Sequence, residues 1–523
     1  MRLKYKKYKV SPFSYGCLFF CTAFTAPVFS ADYNVRDQSD FNNFSGLTYK
    51  AGDRILFERG ESFEGQFVVR NSSGTKNNPI QLIPVGQGSM PRIDNEGAIH
   101  THPTRSSETT SSAILLMNSE GIVIDGLELT NDGGIQEDLD SHGILVLGED
   151  LGRRLNYFRF ENNYIHHVNE QTSSDERGGI FFHGDSPDSS NASSFEDIQI
   201  RNNRISRVGG IGISTSLSKS DLEHGDDIPL DQPRENAILG LLIEDNEIDR
   251  TGRNGIRARD ADDALVQYNT ISNSSRYKTG HSILGFNTRG LVIQYNEIYG
   301  NIGDADDTDR GAIVSGFNSQ GSTIQYNYMH NNHWGVGIMR RNNNDLVVRF
   351  NINVNNLYGA YHYGFPGHDD LRNAHVYNNT HYFGTGLTPQ IIGGYLEREP
   401  METKFNNNIF AVVDSGAGEA GEKSDSGDGV LYNRNLWQNT RPPETTTGRY
   451  IRANPDFVSP GSEPTNIDMR SGRNALLGYA LQSVSPAIGS GKSISNNGGI
   501  DFFGRQINDN GTKIMGAAGQ GSQ

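Results

Sequence analysis

The feature that most constrains this chain is an asparagine that returns at a near-constant interval. It sits in a recurring pattern of apolar residue, two variable residues, Asn, one variable residue, apolar residue. LLIEDNEID (241–249), ALVQYNTIS (264–272), LVIQYNEIY (291–299), STIQYNYMH (322–330) and LVVRFNINV (346–354) all carry it. The Asn falls at Asn246, Asn269, Asn296, Asn327 and Asn351, in steps of 23, 27, 31 and 24 residues. Fainter copies extend the series back to Asn163 and Asn203 and forward to Asn379, Asn408 and Asn435. About two dozen residues is what one turn of a parallel β-helix consumes, as three short strands joined by turns of variable length.

The repeat has a physical reason to be Asn. At an inward turn, its amide can donate to and accept from the same amide in the coils above and below, forming a ladder that satisfies buried backbone groups. The Asn positions are therefore structural, and none is a catalytic candidate. Runs such as Leu291, Val292 and Ile293 supply the aliphatic, β-branched strand residues. Helical periodicity is nearly absent, so a helix-rich enzyme or a coiled coil is set aside.

Length and ends fit a solenoid, which grows by stacking and escapes the usual limit on domain size. Arg2, Lys4, Lys6, Lys7 and Lys9 precede an apolar stretch over residues 13–29, with Val28 and Ser30 as small residues at a cleavage site. This is the layout of a secretory signal peptide over residues 1–30, too short and interrupted to span a membrane. Both cysteines, Cys17 and Cys21, lie within it, so the mature chain is expected to lack disulfides. Residues 31–95 read as an N-terminal cap and first coils, 96–445 as the main coils, and 446–523 as C-terminal coils and a cap segment.

The formal net charge is −16. That balance argues against nucleic acid and anionic membrane surfaces as partners. A secreted or periplasmic monomer is the expectation.

The segments AGDRILFERGESFEGQFVV (51–69), SGTKNNPIQL (73–82) and PRIDNEG (91–97) resemble the opening of the carbohydrate-active right-handed parallel β-helix proteins. NPDFV (454–458), SPAIGSG (485–491) and DFFGRQI (501–507) resemble their end. That superfamily holds alginate-lyase-like and chondroitinase-B-like polysaccharide lyases together with several glycoside hydrolases. The resemblance implies an all-β, right-handed parallel β-helix with long loops walling a lateral groove. The paired-aspartate and Gly-His-Gly motifs of polygalacturonases are missing, as is a match to the calcium-site motif of the chondroitinase-B-like lyases. One β-helix hosts many reactions, so the site must come from the residues.

Registering the coils places one short strand of each around Ile180, Ile213, Ile256, Ile283, Ile313, Ile338 and Ala360. If these point inward, alternation sends their i+1 and i+3 neighbours outward. The outward pairs are Phe181 and His183, Ser214 and Ser216, Arg257 and Arg259, Leu284 and Phe286, Val314 and Gly316, Met339 and Arg341, Tyr361 and Tyr363. Two arginines on one exposed strand suit planar carboxylates or sulfates, and aromatic faces suit sugar rings. The plainer alternative is that they pair with Asp260, Asp262 and Asp263 of the following turn.

Oversized turns occur at residues 170–179, 184–194 and 216–236, where loops on a rigid scaffold tend to carry binding. Asp304, Asp306, Asp307 and Asp309 precede Ile313. Asp304, Asp306 and Asp309 could ligate Ca²⁺, supply a glycosidase carboxylate, or form a plain acidic turn.

Three functions remain, in this order. A lyase would neutralise a uronate with Arg257, Arg259 and Arg341, bind sugar against Tyr363, and draw its base and acid from His183, Lys278, His281 and Tyr361. A glycoside hydrolase would use a carboxylate pair from Asp260, Asp262, Asp306 and Asp309 on an acidic or sulfated polymer. A binding module would use the same groove without chemistry.

Overall fold

Alternating inward aliphatic residues, bent at regular intervals by one left-handed residue, wind this chain into a right-handed parallel β-helix. The computed structural model describes residues 30–523 except 104–107, 135–139, 171–174, 186–190, 219–233, 304–309, 340–341, 365–370, 395–400, 415–428, 441, 443–448, 508–512 and 519–523. Residues 1–29 with both cysteines, residues 304–309 and Arg341 thus lie outside the described residues.

Among the described residues, three long sheets of 15, 14 and 12 strands run along the molecule. We call them the first, second and third sheets, in the order in which each coil visits them. One coil is formed by Arg154–Glu161, Tyr164–Val168 and Gly178–Asp185, and the next by Ser194–Arg201, Arg204–Val208 and Ile211–Leu217. The pairing of His100–Thr101 with Thr109–Met117 is antiparallel; the other strand pairs of these sheets are parallel.

The core is a set of side-chain stacks. On the third sheet Ile144, Ile180, Ile213, Ile256, Ile283, Ile313 and Val336 are in register and fully buried. Burying each such side chain stabilises by about 1.5–3 kcal/mol relative to leaving it exposed. On the second sheet Ile248, Ile271, Ile298 and Met329 continue into Asn353, His381 and Phe410, so the stack turns polar within the core. His381 finds a partner there, since its Nε2 lies 2.9 Å from the Tyr361 hydroxyl.

The asparagine ladder is continuous from Asn163 to Asn435. Each Nδ2 donates to the Oδ1 of the next Asn at 2.9–3.0 Å. Asn296 also accepts from the Asn269 backbone N–H and donates to the carbonyls of Val266 and Gln294. The residue before each ladder Asn is left-handed; Tyr268, Tyr295 and Tyr326 have φ of 56°, 55° and 57°. Non-glycine residues hold such a conformation only where the surroundings enforce it. Here the rings of Tyr268, Tyr295, Tyr326 and Phe350 stack along the corner at 5.1, 5.0 and 5.8 Å.

Coil strands continue to Ile451–Arg452, after which the chain runs back along this corner. Arg470 lies 3.8 Å over Tyr268, Arg473 lies 5.0 Å over Tyr295, and Tyr326 donates to the Ile500 carbonyl at 3.1 Å. At the other end a short helix, Gln38–Phe44, closes the coil stack, capped by Asp37 and stacking Phe41 on Phe63 at 5.6 Å. No periodicity marks so short a helix in the sequence, because its seven residues, about two turns, include only one buried residue, Phe41.

Candidate functional site

The outer face of the third sheet carries two columns of side chains. The first reads Leu115, Leu145, Phe181, Ser214, Arg257, Leu284, Val314, Gly337 and His362 from coil to coil. The second includes Met117, Leu147, His183 and Ser216, and farther along Arg259 and Phe286. The expected outward pairs are thus outward as far as Val314 and Gly316. Beyond them the register departs from the sequence reading, since Ile313 pairs with Val336 and Val336 with Tyr361.

That difference corrects two candidates. A one-residue shift of a strand exchanges its faces, so Tyr361 and Tyr363 point inward and are fully buried in the core. Burial drives both phenols well above the usual tyrosine range. His362 takes the outward place and packs against Trp334 at 5.2 Å. The error arose because two consecutive residues face inward where each coil turns into the third sheet: Ala360 and Tyr361 both lie in the core, as do Ala312 and Ile313.

Two depressions open on this face. One, of about 250 Å³, is lined by Arg253, Arg257, Arg259, His281, Phe286, Phe317 and their neighbours. The other, of about 310 Å³, is lined by His102, Glu108, Asp140, His142, Glu149, Glu176, Phe181 and His183, among others. They adjoin at Arg257, whose guanidinium lies 5.8 Å from the Phe181 ring and 3.8 Å from Glu176. The cleft therefore has a cationic half and a carboxylate-and-imidazole half.

Arg257 is only 5% exposed. Its Nε donates to Ser214 Oγ at 2.8 Å, and its Nη2 has no hydrogen-bond partner among the described residues. Burial lowers its pKa to about 10, which still leaves it charged at neutral pH. That Nη2 faces the Glu176 carboxylate at 3.8 Å, beyond hydrogen-bond distance, so a second anion could still take a direct hydrogen bond from it. Arg259, half-buried, lies over Phe286 at 5.2 Å and contacts Asp260 at 3.3 Å.

His281 sits two residues before the inward Ile283, at the corner, and is 2% exposed. Asn254 donates to its carbonyl at 2.6 Å. Its ring lies over Gly311 and Gly337, where an added Cβ would come within 2.7 Å of the imidazole in each case. Glycine at these positions makes the room that the ring occupies.

In the carboxylate half, His102 and Glu149 form a buried pair at 2.9 Å. His142 donates from Nε2 to the Glu176 carbonyl at 2.7 Å, and burial lowers its pKa to about 4, so it is neutral. His102, His142, Glu149 and Glu176 escaped the sequence reading. His142 was findable, because it shares the corner column of His281, two residues before an inward isoleucine. Glu149 and His102 are brought in by a strand end and an irregular segment, which alternation does not reach.

Other candidates are engaged elsewhere. Asp260 is fully buried and accepts from the Leu217 backbone N–H and from Asn287, both at 2.7 Å; burial raises its pKa. Asp262 is held by Arg234 in a buried pair at 2.6 Å. As a hydrolase pair both are spent on structure, and Asp262 binds neither candidate arginine. Lys278 is exposed on the turn before the cleft strand and is not among the residues lining the cleft. Asp304, Asp306, Asp309 and Arg341 lie outside the described residues, and no group that could hold a metal ion occurs among the described residues. Among the same residues, no helix is long and apolar enough to cross a membrane.

Residues 234–410 match the family model described as "Right handed beta helix region". No curated protein matches the chain in sequence. Among solved structures, the chain is similar to the GH136 lacto-N-biosidase of Eubacterium ramulus. Identity is 21%, with 72% of this chain and 67% of that one covered at a TM-score of 0.59. It is more distantly similar to an alginate lyase from Paenibacillus sp. str. FPU-7, at 16% identity over 66% of this chain and 99% of that one, with a TM-score of 0.43. These likenesses are of fold.

Proposed function

We propose that the chain is an exported enzyme that cleaves an anionic, uronate-containing polysaccharide by β-elimination in the cleft of the third sheet. One observation carries the reading: the buried guanidinium of Arg257, whose Nη2 makes no hydrogen bond among the described residues and stands 3.8 Å from Glu176, borders a cleft lined by Leu284 and Phe286. Arg257 and Arg259 would neutralise the uronate carboxylate, which makes the C5 proton removable. His281, set into the same depression, would take that proton. The C5–H and C4–O bonds break, a C4–C5 double bond forms, and the departing oxygen takes a proton from an acid of the cleft or from water. His183 stands in the adjoining half.

A second reading is favoured by the other half of the cleft. Glu108, Asp140, Glu149 and Glu176 line it, and a glycoside hydrolase needs a carboxylate pair flanking the bond. The similar GH136 structure is a lacto-N-biosidase, so such a coil stack accommodates hydrolysis. Digestion of a polysaccharide array with product mass spectrometry separates the two. A lyase leaves products without added water and with a new double bond, whereas a hydrolase adds one water per cut.

A further inference from the structure

A second charged feature lies on a different face. On the outer side of the first sheet, His375, Lys404 and Leu431 occupy one outward column in successive coils. Arg434 follows at the next turn, and the returning tail brings in Lys492. Asn407 fixes Lys492 from both sides, accepting from its backbone N–H at 2.9 Å and donating to its carbonyl at 2.9 Å. Arg434 Nη1 donates to the Ser490 carbonyl at 3.0 Å, so the tail holds both cations in place.

In a chain of net charge −16, this convergence is unexpected. Lys404, Arg434 and Lys492 form no ion pair with any carboxylate among the described residues. Glu402, on the strand of Lys404, instead accepts from the backbone N–H of Asn373 at 3.4 Å. His375 accepts from Asn406 Nδ2 at 2.8 Å and so contributes a neutral ring. The groups feel one another: burial, then Lys404 and Arg434, hold the Lys492 ammonium below its ordinary range, and burial with Lys492 and Lys404 lowers His375 to about 4. Like charges gathered at a fixed position cost stability unless a counter-charge arrives.

We propose that Lys404, Arg434 and Lys492 form a second site, remote from the cleft, that holds a sulfate or carboxylate group of an anionic polysaccharide chain. The proposal rests on the reading of the chain as polysaccharide-active. Lys404 is exposed, beside Leu431 at 42% exposure, so the patch offers cations next to an apolar surface that a sugar ring can cover.

The test is affinity electrophoresis of the full chain in gels containing alginate, dextran sulfate or neutral dextran. The wild type should be retarded by at least one polyanion and not by neutral dextran. Lys404→Glu/Lys492→Glu should weaken that retardation about tenfold or more, because two attractive contacts become repulsive. Lys404→Met, which removes one repelling charge, should weaken it less and raise the Tm. Arg257→Ala keeps the patch and reports on the cleft, so loss of cleavage in that variant and loss of retardation in the double variant fail independently. A wild type unretarded by both polyanions, or a folded double variant that migrates as the wild type does, overturns the proposal.

Discussion

The imidazole of His281 lies against the backbone of Gly337, two coils away, so closely that a Cβ there would stand 2.7 Å from Nε2 and 2.8 Å from a methyl of Val314. Gly337→Ala should therefore leave the coil stack folded, because the added methyl is on the outer face. It should displace the ring and lower the rate of cleavage by about tenfold or more, as misplacement of a reacting group does. Circular dichroism and initial rates on an anionic polymer check this. An active Gly337→Ala enzyme would remove His281 from the mechanism.

The ladder predicts a purely structural loss. Asn296→Ala strands the Asn269 backbone N–H and the carbonyls of Val266 and Gln294. Stability should fall by about 1–3 kcal/mol or more, with substrate preference unchanged. Urea denaturation measures the first and a substrate array the second.

Acid should destabilise the fold through its buried imidazoles. Burial lowers His142 to about 4 and His381 to about 3, whereas the unfolded chain protonates them near about 6.5. Between these limits the unfolded state binds protons that the native state does not. Stability is therefore full above about 6.5 and is lost as pH falls, each group adding at most about 1.4 kcal/mol per pH unit. Urea midpoints that stay level or rise between about pH 6.5 and about pH 5 would contradict these environments.

Tyr361, a catalytic candidate on the sequence alone, spends its hydroxyl on His381 within the core. Tyr361→Phe removes the partner of His381 at 2.9 Å and should cost about 1–3 kcal/mol. Cleavage at low temperature should stay near the wild-type rate. A collapse of activity with unchanged Tm would return Tyr361 to the site.

What was legible in the sequence follows from what is periodic. The Asn series is written at each coil from Asn163 to Asn435, so the ladder, the coil direction and the inward isoleucines from Ile180 through Ile313 could be registered from it. The same logic placed Arg257 and Arg259 on the outer face of the third sheet. It failed at Tyr361, which pairs with the inward Val336 one residue beyond the Ala360 taken as inward, and that one-residue slip exchanged the faces of Tyr361 and Tyr363. Alternation could not say that Arg257 is buried although it points outward, since that depends on Glu176 and Phe181 brought from another coil. The basic patch was equally illegible, because Lys404 and Lys492 meet only when the tail returns along the coils.

The most direct test of the account is the ultraviolet absorbance of an anionic polymer digest, compared between the wild type, Arg257→Ala and Arg257→Lys. The wild type should cleave uronate polymer with rising absorbance from the new double bond. Arg257→Ala should fold and lose activity by about a hundredfold or more, as loss of a group that stabilises developing charge does. Arg257→Lys should recover only part, since an ammonium keeps the charge without the planar fork. Cleavage without any rise in absorbance would give the reaction to the carboxylates of the other half, and full activity in Arg257→Ala would contradict the placement of the anionic group in this cleft.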